Sequence, residues 1–233
     1  MSASADGAGA PARVVAVAGA TGLVGRALVA RLCADPSVAR VHALVRRAPG
    51  ADDATDARVR VQVVDFGRLP PLPALDEAYL ALGTTIRVAG SEAAFRAVDL
   101  DANLAVARAA LAAGARRIGV VSAIGADPQA RVFYSRVKGE LERALDALPL
   151  EALVIARPSL LLGDRDALGQ PRRAGERLAI VLDRWLRPLL PARYRGIAAI
   201  DVAAALAAAV PRARGRQVLA SDAMQGAASQ RPG

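Results

Sequence analysis

The chain has 233 residues and a formal net charge of +9, from 31 Lys and Arg against 22 Asp and Glu. Basic residues are spread along it without a long run, and aromatic residues make up only 3%. With so few rings to stack on bases, a dedicated nucleic-acid-binding module is disfavoured. The lone cysteine, Cys33, excludes an internal disulfide and is typical of a reducing compartment. The alanine-rich stretch 197–210 is too short to span a bilayer. We therefore expect a soluble, cytoplasmic protein that contacts neither nucleic acid nor membrane and holds no metal.

A strand followed by three glycines is the feature around which the chain is organised. Residues 13–18 are apolar and mostly β-branched after the first arginine, which predicts a buried strand, and Gly19, Gly22 and Gly25 follow it. Missing side chains allow a sharp turn at Gly19, approach of a pyrophosphate at Gly22, and close packing of the next helix at Gly25. This helix, residues 23–33, would direct its free N–H groups at the anion. The pattern predicts a nucleotide-binding turn rather than an ordinary glycine-rich one.

Two arginines follow the second predicted strand, residues 41–45, about twenty positions past the glycine turn. Dinucleotide-binding folds use this place to contact the adenosine ribose. An acidic residue would accept a hydrogen bond from the 2′-hydroxyl, whereas Arg46 and Arg47 offer planar donors to a 2′-phosphate. The pair favours NADP over NAD, with an ordinary solvated arginine pair as the alternative.

Further short strands alternate with helical stretches along the chain, which predicts an α/β protein with a doubly wound parallel sheet. The further strands are predicted at 59–64, 78–82, 118–121 and 152–156, and a long helix at 91–113. We expect a disordered leader over residues 1–12, an NADP-binding Rossmann domain over 13–159, and a disordered tail over 221–233. A small substrate-side region over 160–220 includes an amphipathic helix at 177–186 with Trp185, and its final helix and strand complete the single domain.

Tyr134 and Lys138 are four residues apart in a predicted helix and therefore share one face. An ammonium near a phenol stabilises the phenolate, as proton exchange with a carbonyl or alcohol oxygen requires. Lys138 is the only lysine among the 31 basic residues, so the chain uses a compact charge only here. The alternative is a chance pair on a solvated helix.

In this order and spacing, the glycine turn, Ser122 and the Tyr134–Lys138 pair resemble the short-chain dehydrogenase/reductase superfamily. Residues 82–85, 122–126, 134–140 and 157–165 are similar to the Tat-interacting-protein branch of its atypical, NADPH-binding members. The resemblance covers about residues 13–210.

This resemblance implies a role for each matching position. Tyr134 would be the proton donor or acceptor, Lys138 would hold the nicotinamide ribose and tune Tyr134, and Ser122 would orient the substrate oxygen. The cofactor would contact Gly19, Thr21, Gly22, Leu23, Val24 and Gly25 at the pyrophosphate, Arg46 and Arg47 at the 2′-phosphate, Asp65 and Phe66 at the adenine, Leu82, Gly83, Thr84 and Thr85 near the adjoining ribose, and Pro158 beside the nicotinamide. Where classical members complete a proton relay with an asparagine, this chain has Asp99, with Asn103 one turn later.

Two functions follow from these expectations. The first is an NADPH-dependent reductase of a small carbonyl or related compound, in which Tyr134 donates the proton. The second is an NADPH-binding sensor or regulator that contacts a protein partner and turns over little. Intact serine, tyrosine and lysine favour the enzyme.

Overall fold

Seven parallel strands form the central sheet in a computed structural model that describes residues 12–48, 56–163 and 191–229. The sheet consists of β1 (Arg13–Ala18), β2 (Val38–Val45), β3 (Val59–Val63), β4 (Glu77–Leu80), β5 (Arg117–Val121), β6 (Ala152–Arg157) and β9 (Gly215–Ala220). Two further short strands among the described residues are β7 (Leu161–Leu162) and β8 (Ile197–Ala198). The strand order in the sheet is β3-β2-β1-β4-β5-β6-β9, and β7 pairs separately with β8. The predicted α/β class with a doubly wound parallel sheet is confirmed.

Helices cover both faces of this sheet. They are α1 (Leu23–Cys33), α2 (Ile86–Ala89), α3 (Glu92–Arg96), α4 (Asn103–Ala112), α5 (Phe133–Asp146), α6 (Ala199–Ala209) and α7 (Ser221–Met224). Side chains of β1 alternate between two cores, since Val15 and Val17 pack with α1 and α6 while Ala16 and Ala18 pack with α4 and α5. Burial on both faces explains why the inner strands are nearly continuous apolar runs, whereas the edge strands β3 and β9 carry polar, exposed residues.

The strand order changes direction between β1 and β4, because the chain builds β2 and β3 on one side and then returns to the other. In open α/β sheets, ligands bind outside the carboxyl ends of the strands at such a point. The glycine turn after β1 and the turn after β4 both lie there. The fold thus places them at the expected ligand crevice.

A buried polar network joins the amino ends of the strands, on the opposite edge. Arg13 donates to both Glu77 oxygens at 2.8 Å and to Asp35 at 2.6 Å. The Tyr79 hydroxyl donates to Glu77 at 2.7 Å. Burial, followed by the charge and hydrogen bond of Glu77, raises the pKa of Tyr79 well above its usual value. The network therefore holds the Arg13–Glu77 ion pair and the Tyr79 phenol together inside the fold.

The helix predicted over 91–113 runs without a break from Glu92 to Ala112, but its hydrogen-bonding pattern changes within it. Between α3 and α4, residues Ala97–Ala102 form a π-helical segment with one extra residue per turn. Alanine-rich sequence favours regular helix, so local propensity does not reveal this change.

The disordered tail predicted over 221–233 also differs from the structure. Met224 in α7 is fully buried, and the Ser221 hydroxyl accepts a hydrogen bond from the backbone of Ser159 at 3.1 Å. Residues 221–229 are therefore part of the folded protein. Residues 1–11 of the predicted leader, and the predicted helix at 177–186 with Trp185, lie outside the described residues.

Across the described parts of the chain, no helix is long and apolar enough to cross a membrane. The same residues contain no group of three or more His, Cys, Asp or Glu that could hold a metal ion.

Candidate cofactor and active site

The glycine turn has the geometry that its sequence predicts. Gly19 has φ +80°, and a Cβ there would lie 2.6 Å from the carbonyl oxygen of Ala81. A Cβ on Gly25 would lie 2.0 Å from the carbonyl oxygen of Gly19. Both glycines are therefore required by the fold, because β1, the β4 turn and α1 approach too closely for a side chain.

Gly22 is different, since it has φ −81° and a Cβ there would lie 3.3 Å from the Gly19 oxygen, a tight but not prohibitive contact. It precedes the first residue of α1, and no side chain caps this helix end. The first N–H groups of α1 are thus left for an anion, and the space beside Gly22 is open for it.

A cleft of about 1220 Å³ extends along the carboxyl ends of β1, β2, β3 and β4. Nine residues with predicted cofactor roles line it: Gly19, Thr21, Gly22, Arg46, Arg47, Asp65, Phe66, Leu82 and Gly83. Its lining does not include Leu23, Val24, Gly25, Thr84, Thr85, Tyr134, Lys138 or Pro158. The cleft thus collects the positions predicted for the adenine and the 2′-phosphate and part of those predicted for the pyrophosphate, while the predicted positions in α1, at Thr84 and Thr85, and around the nicotinamide lie outside it.

Arg46 and Arg47 are exposed at the end of β2, and Arg26 of α1 joins them in the cleft lining. Asp65 is exposed, and its carboxylate accepts a hydrogen bond from the backbone of Gly67 at 2.9 Å, which fixes the turn after β3. The Phe66 ring is buried in the core beneath. The guanidinium groups of Arg46 and Arg47 therefore lie exposed in this end of the cleft, where such groups are suited to bind a phosphate.

Lys138 forms a buried ion pair with Asp99. The Lys138 Nζ lies 2.7 Å from Asp99 Oδ1, and the two side chains are 4% and 1% exposed. The second Asp99 oxygen accepts a hydrogen bond from the backbone N–H of Thr84 at 2.8 Å. One carboxylate thus joins α5 to the turn after β4.

Asn103, the second candidate for the proton relay, hydrogen-bonds to the backbone instead of contacting Lys138. Its amide donates to the backbone oxygens of Leu82, Val98 and Asp99 at 3.1–3.2 Å. These contacts hold the turn after β4 and satisfy carbonyls near the π-helical segment. Of the two candidates, Asp99 is the one that touches the lysine.

Ser122 has a partner that the sequence interpretation missed. Its hydroxyl donates to Glu142 Oε1 at 2.5 Å, and Arg157 donates to both Glu142 oxygens at 3.0 and 2.6 Å. Hydrogen bonding to Glu142, against the opposing effect of burial, raises the pKa of Arg157. Ser122 and Glu142 are each 3% exposed. The hydroxyl is therefore committed to an internal carboxylate rather than presented to a substrate.

Tyr134 is half-buried near the start of α5, and its ring packs on Phe95 with centroids 5.6 Å apart. Phe133 contacts the same Phe95 ring at 5.8 Å. Within the described residues, the Tyr134 hydroxyl makes no hydrogen bond. Pro158 is buried, and its carbonyl oxygen accepts from the backbone of Ile124 at 2.9 Å. The tyrosine is thus fixed by its ring while its hydroxyl stays available.

Residues 19–161 match a family model described as NAD(P)H-binding. The chain belongs to this NAD(P)H-binding family. A curated relative from Emericella nidulans, "Protein fmp52, mitochondrial", is 37% identical over 161 residues, which are 65% of this chain and 68% of the relative. "Protein HTATIP2" of Rattus norvegicus is 34% identical over 169 residues, 71% of this chain and 68% of the relative. The resemblance to the Tat-interacting-protein branch of atypical short-chain dehydrogenases is confirmed.

Solved structures with low identity show the same fold. An oxidoreductase of the short-chain dehydrogenase/reductase family from Burkholderia thailandensis superposes with a TM-score of 0.65 at 20% identity, covering 91% of this chain and 92% of that chain. MoeE5 in complex with UDP-glucose and NAD gives a TM-score of 0.64 at 20% identity, covering 88% and 74%.

The prediction of a plain cytoplasmic location is wrong as it stands. Several curated relatives, from Emericella nidulans, Eremothecium gossypii, Aspergillus terreus and Coccidioides immitis, are named as mitochondrial proteins. Cysteine usage and overall charge report only on redox conditions and solubility, so they could not have separated these compartments.

Proposed function

We propose that this NAD(P)H-binding protein is an NADPH-dependent oxidoreductase that reduces a small carbonyl or related compound. The observation that carries the proposal is the position of Tyr134. Its hydroxyl has no hydrogen-bond partner among the described residues, and it shares a face of α5 with the one lysine of the chain. A phenol that is fixed by its ring and free at its oxygen can give a proton to a bound substrate.

The preference for NADPH rests on the charge at the far end of the cleft. Arg46 and Arg47 lie at the carboxyl end of β2, in the same cleft as Gly19 and Gly22. Guanidinium groups bind a phosphate through charge-assisted, paired hydrogen bonds. An unphosphorylated ribose would leave them without that partner.

When bound, NADPH supplies the hydride. The turn at Gly22 and the open end of α1 would receive the pyrophosphate. Lys138, held by Asp99, lies one helical turn from Tyr134 and would meet the ribose that carries the nicotinamide. Tyr134 would donate the proton to the substrate oxygen.

A screen of carbonyl compounds, followed by the loss of NADPH absorbance, tests this proposal. We expect at least one compound to be reduced, with the rate falling by roughly two to four orders of magnitude in Tyr134→Phe while NADPH still binds. This variant keeps the ring contact with Phe95 and removes only the hydroxyl. Reduction at the wild-type rate in Tyr134→Phe would overturn the proton-donor role.

A second function, an NADPH-binding sensor or regulator with a protein partner, is favoured by one observation. The Ser122 hydroxyl donates its hydrogen bond to Glu142. A site without an orienting serine would bind the cofactor and turn over slowly. Tight NADPH binding without reduction of any compound in the screen would select this function instead.

A further inference from the structure

One part of the cleft lining comes from a single helical stretch, the π-helical segment and the start of α4. Its lining residues recur every three to four positions and therefore share one helix face. They are Ala97, Val98, Asp101, Ala102 and Ala105. All but Asp101 are short and apolar, so this face offers a surface on which a flat ring can pack. Asp101 is the single polar side chain on it, and isolated polar groups of this kind fix the orientation of a ligand.

The carboxylate of Asp101 is exposed and has no hydrogen-bond or ion-pair partner among the described residues. Asp99, two positions earlier, is different, because it is buried and paired with Lys138 at 2.7 Å. Arg46 and Arg47 line the same cleft, and in the part of the chain that the structure describes neither forms an ion pair with Asp101. The oxygens of Asp101 are therefore open to a ligand.

A carboxylate in this cleft would repel a phosphate, so it must face a hydrogen-bond donor of the ligand. In the adenosine half of a dinucleotide, the donors are the ribose hydroxyls and the 6-amino group of adenine. The ribose of NADPH carries the charged 2′-phosphate, whereas adenine is neutral and flat and matches the apolar face on which Asp101 lies. The amino group is therefore the donor that Asp101 fits best.

A second carboxylate, that of Asp65, lines the cleft from the turn after β3. One of its oxygens already accepts from the Gly67 backbone at 2.9 Å. The 6-amino group of adenine has two N–H bonds, so one carboxylate can accept from each. A contact between adenine and Asp65 thus leaves a hydrogen-bond donor for Asp101.

We propose that Asp101 accepts a hydrogen bond from the 6-amino group of adenine and so selects adenine dinucleotides against those with a 6-oxo purine. This inference rests on the proposed binding of NADPH in the cleft and is independent of the reduction step. A 6-oxo group is an acceptor, so it would place its oxygen against the carboxylate with no hydrogen between them. Asp101 is in this sense a specificity-determining residue.

Reduced nicotinamide hypoxanthine dinucleotide phosphate is the probe that tests this contact. It keeps the sugars and phosphates of NADPH and carries an oxygen in place of the 6-amino group. By calorimetry with the full chain, we expect the wild type to bind NADPH more tightly than the probe by about tenfold or more. Asp101→Ala should lower this preference by about tenfold, mainly through weaker binding of NADPH. Asp101→Asn, whose amide can donate to the 6-oxo group, should bind the probe more tightly than Asp101→Ala does.

Glu92→Ala is the matched control, because Glu92 is an exposed carboxylate of α3 that does not line the cleft. It should leave the preference within about twofold of the wild type. Both Asp101 variants replace an exposed side chain and should fold, which circular dichroism checks.

Two results with the Asp101 variants would overturn the inference. An unchanged preference would show that another residue recognises the amino group. An equal loss of affinity for NADPH and the probe would place Asp101 at a group that both share, such as a ribose hydroxyl. Equal, tight binding of both dinucleotides by the wild type would also overturn the inference while leaving the proposed function intact. If the folded wild type bound neither of them, the proposed function would fail as well.

Discussion

The hydroxyl of Ser122 and the carboxylate of Glu142 are 2.5 Å apart in the protein interior, linking the end of β5 to α5. Arg157 completes this contact from β6, so three neighbouring elements meet at one buried charge. Ser122 thus contributes a buried hydrogen bond to the interior. Its position in sequence matches an orienting serine, but its hydrogen bond points to a role in stability.

Ser122→Ala should therefore lower the free energy of unfolding by about 1.5 to 3 kcal/mol, because a hydrogen bond to a buried charged group is lost. Arg157 still balances Glu142 in this variant, so the fold should persist. Denaturant unfolding measures the loss, and calorimetry should show unchanged NADPH affinity. If Ser122→Ala were as stable as the wild type but had no reductase activity, Ser122 would instead have a catalytic role.

Replacing Arg46 and Arg47 together with alanine should weaken NADPH binding by about 1.5 to 3 kcal/mol for each charged hydrogen bond lost, with little effect on NADH. The difference between the two cofactors should shrink as salt is added. Arg40→Ala is the matched control, since Arg40 is an exposed arginine near the opposite end of the same strand. Equal affinities of the wild type for NADPH and NADH, measured by calorimetry, would rule out the assignment.

The glycines at 22 and 25 should respond differently to the same substitution. Gly22→Val should fold and lose NADPH binding, because its side chain would occupy the open space beside α1. Gly25→Val should fail to fold or be strongly destabilised, since its Cβ would overlap the carbonyl oxygen of Gly19. Circular dichroism and calorimetry separate the two effects. Unchanged affinity in folded Gly22→Val would contradict the phosphate-binding role of this turn.

The Tyr79–Glu77 contact predicts a specific loss of stability in alkali. Burial raises the pKa of Tyr79 in the folded state, so above about pH 10 the unfolded chain releases a proton that the folded chain retains. This contribution is fully present below the unfolded pKa and is lost as pH rises toward the folded one, by about 1.4 kcal/mol per pH unit.

Tyr79→Phe is the variant that isolates this effect. It should be less stable than the wild type near neutral pH, because the hydrogen bond to Glu77 is gone. Its stability should fall less steeply above about pH 10, so the two curves converge. Urea unfolding at a series of pH values measures both slopes, and parallel curves would show that Tyr79 ionises equally in both states.

The parts of this molecule that depend on local sequence were predictable. Apolar runs bounded by turn residues place the inner strands β1, β4, β5 and β6, because both faces of these strands are largely buried. The glycines after β1 were also predictable from local sequence, because their spacing reflects close approaches within a single turn. The four-residue interval from Tyr134 to Lys138 needs only helical geometry.

The parts that depend on distant contacts were not predictable in this way. Ser122, Glu142 and Arg157 come from three separate elements, and no local pattern indicates that they meet. The π-helical segment lies in alanine-rich sequence that favours a regular helix. The contact of its Asp99 with Lys138 joins residues 39 positions apart, and no local pattern indicates it. The small, polar composition after residue 220 gave no sign that Met224 enters the core, because one buried side chain leaves no periodic signal.

The burial of Lys138 also bears on chemical labelling of this protein. It carries the only lysine ε-amine of the chain, and in the folded state this amine is enclosed and engaged by a carboxylate. Acylating reagents and amine-directed cross-linkers should therefore leave this side chain intact until the structure around it opens. The rate at which Lys138 is acylated, followed by peptide mass spectrometry, therefore reports how often the structure around Lys138 opens locally.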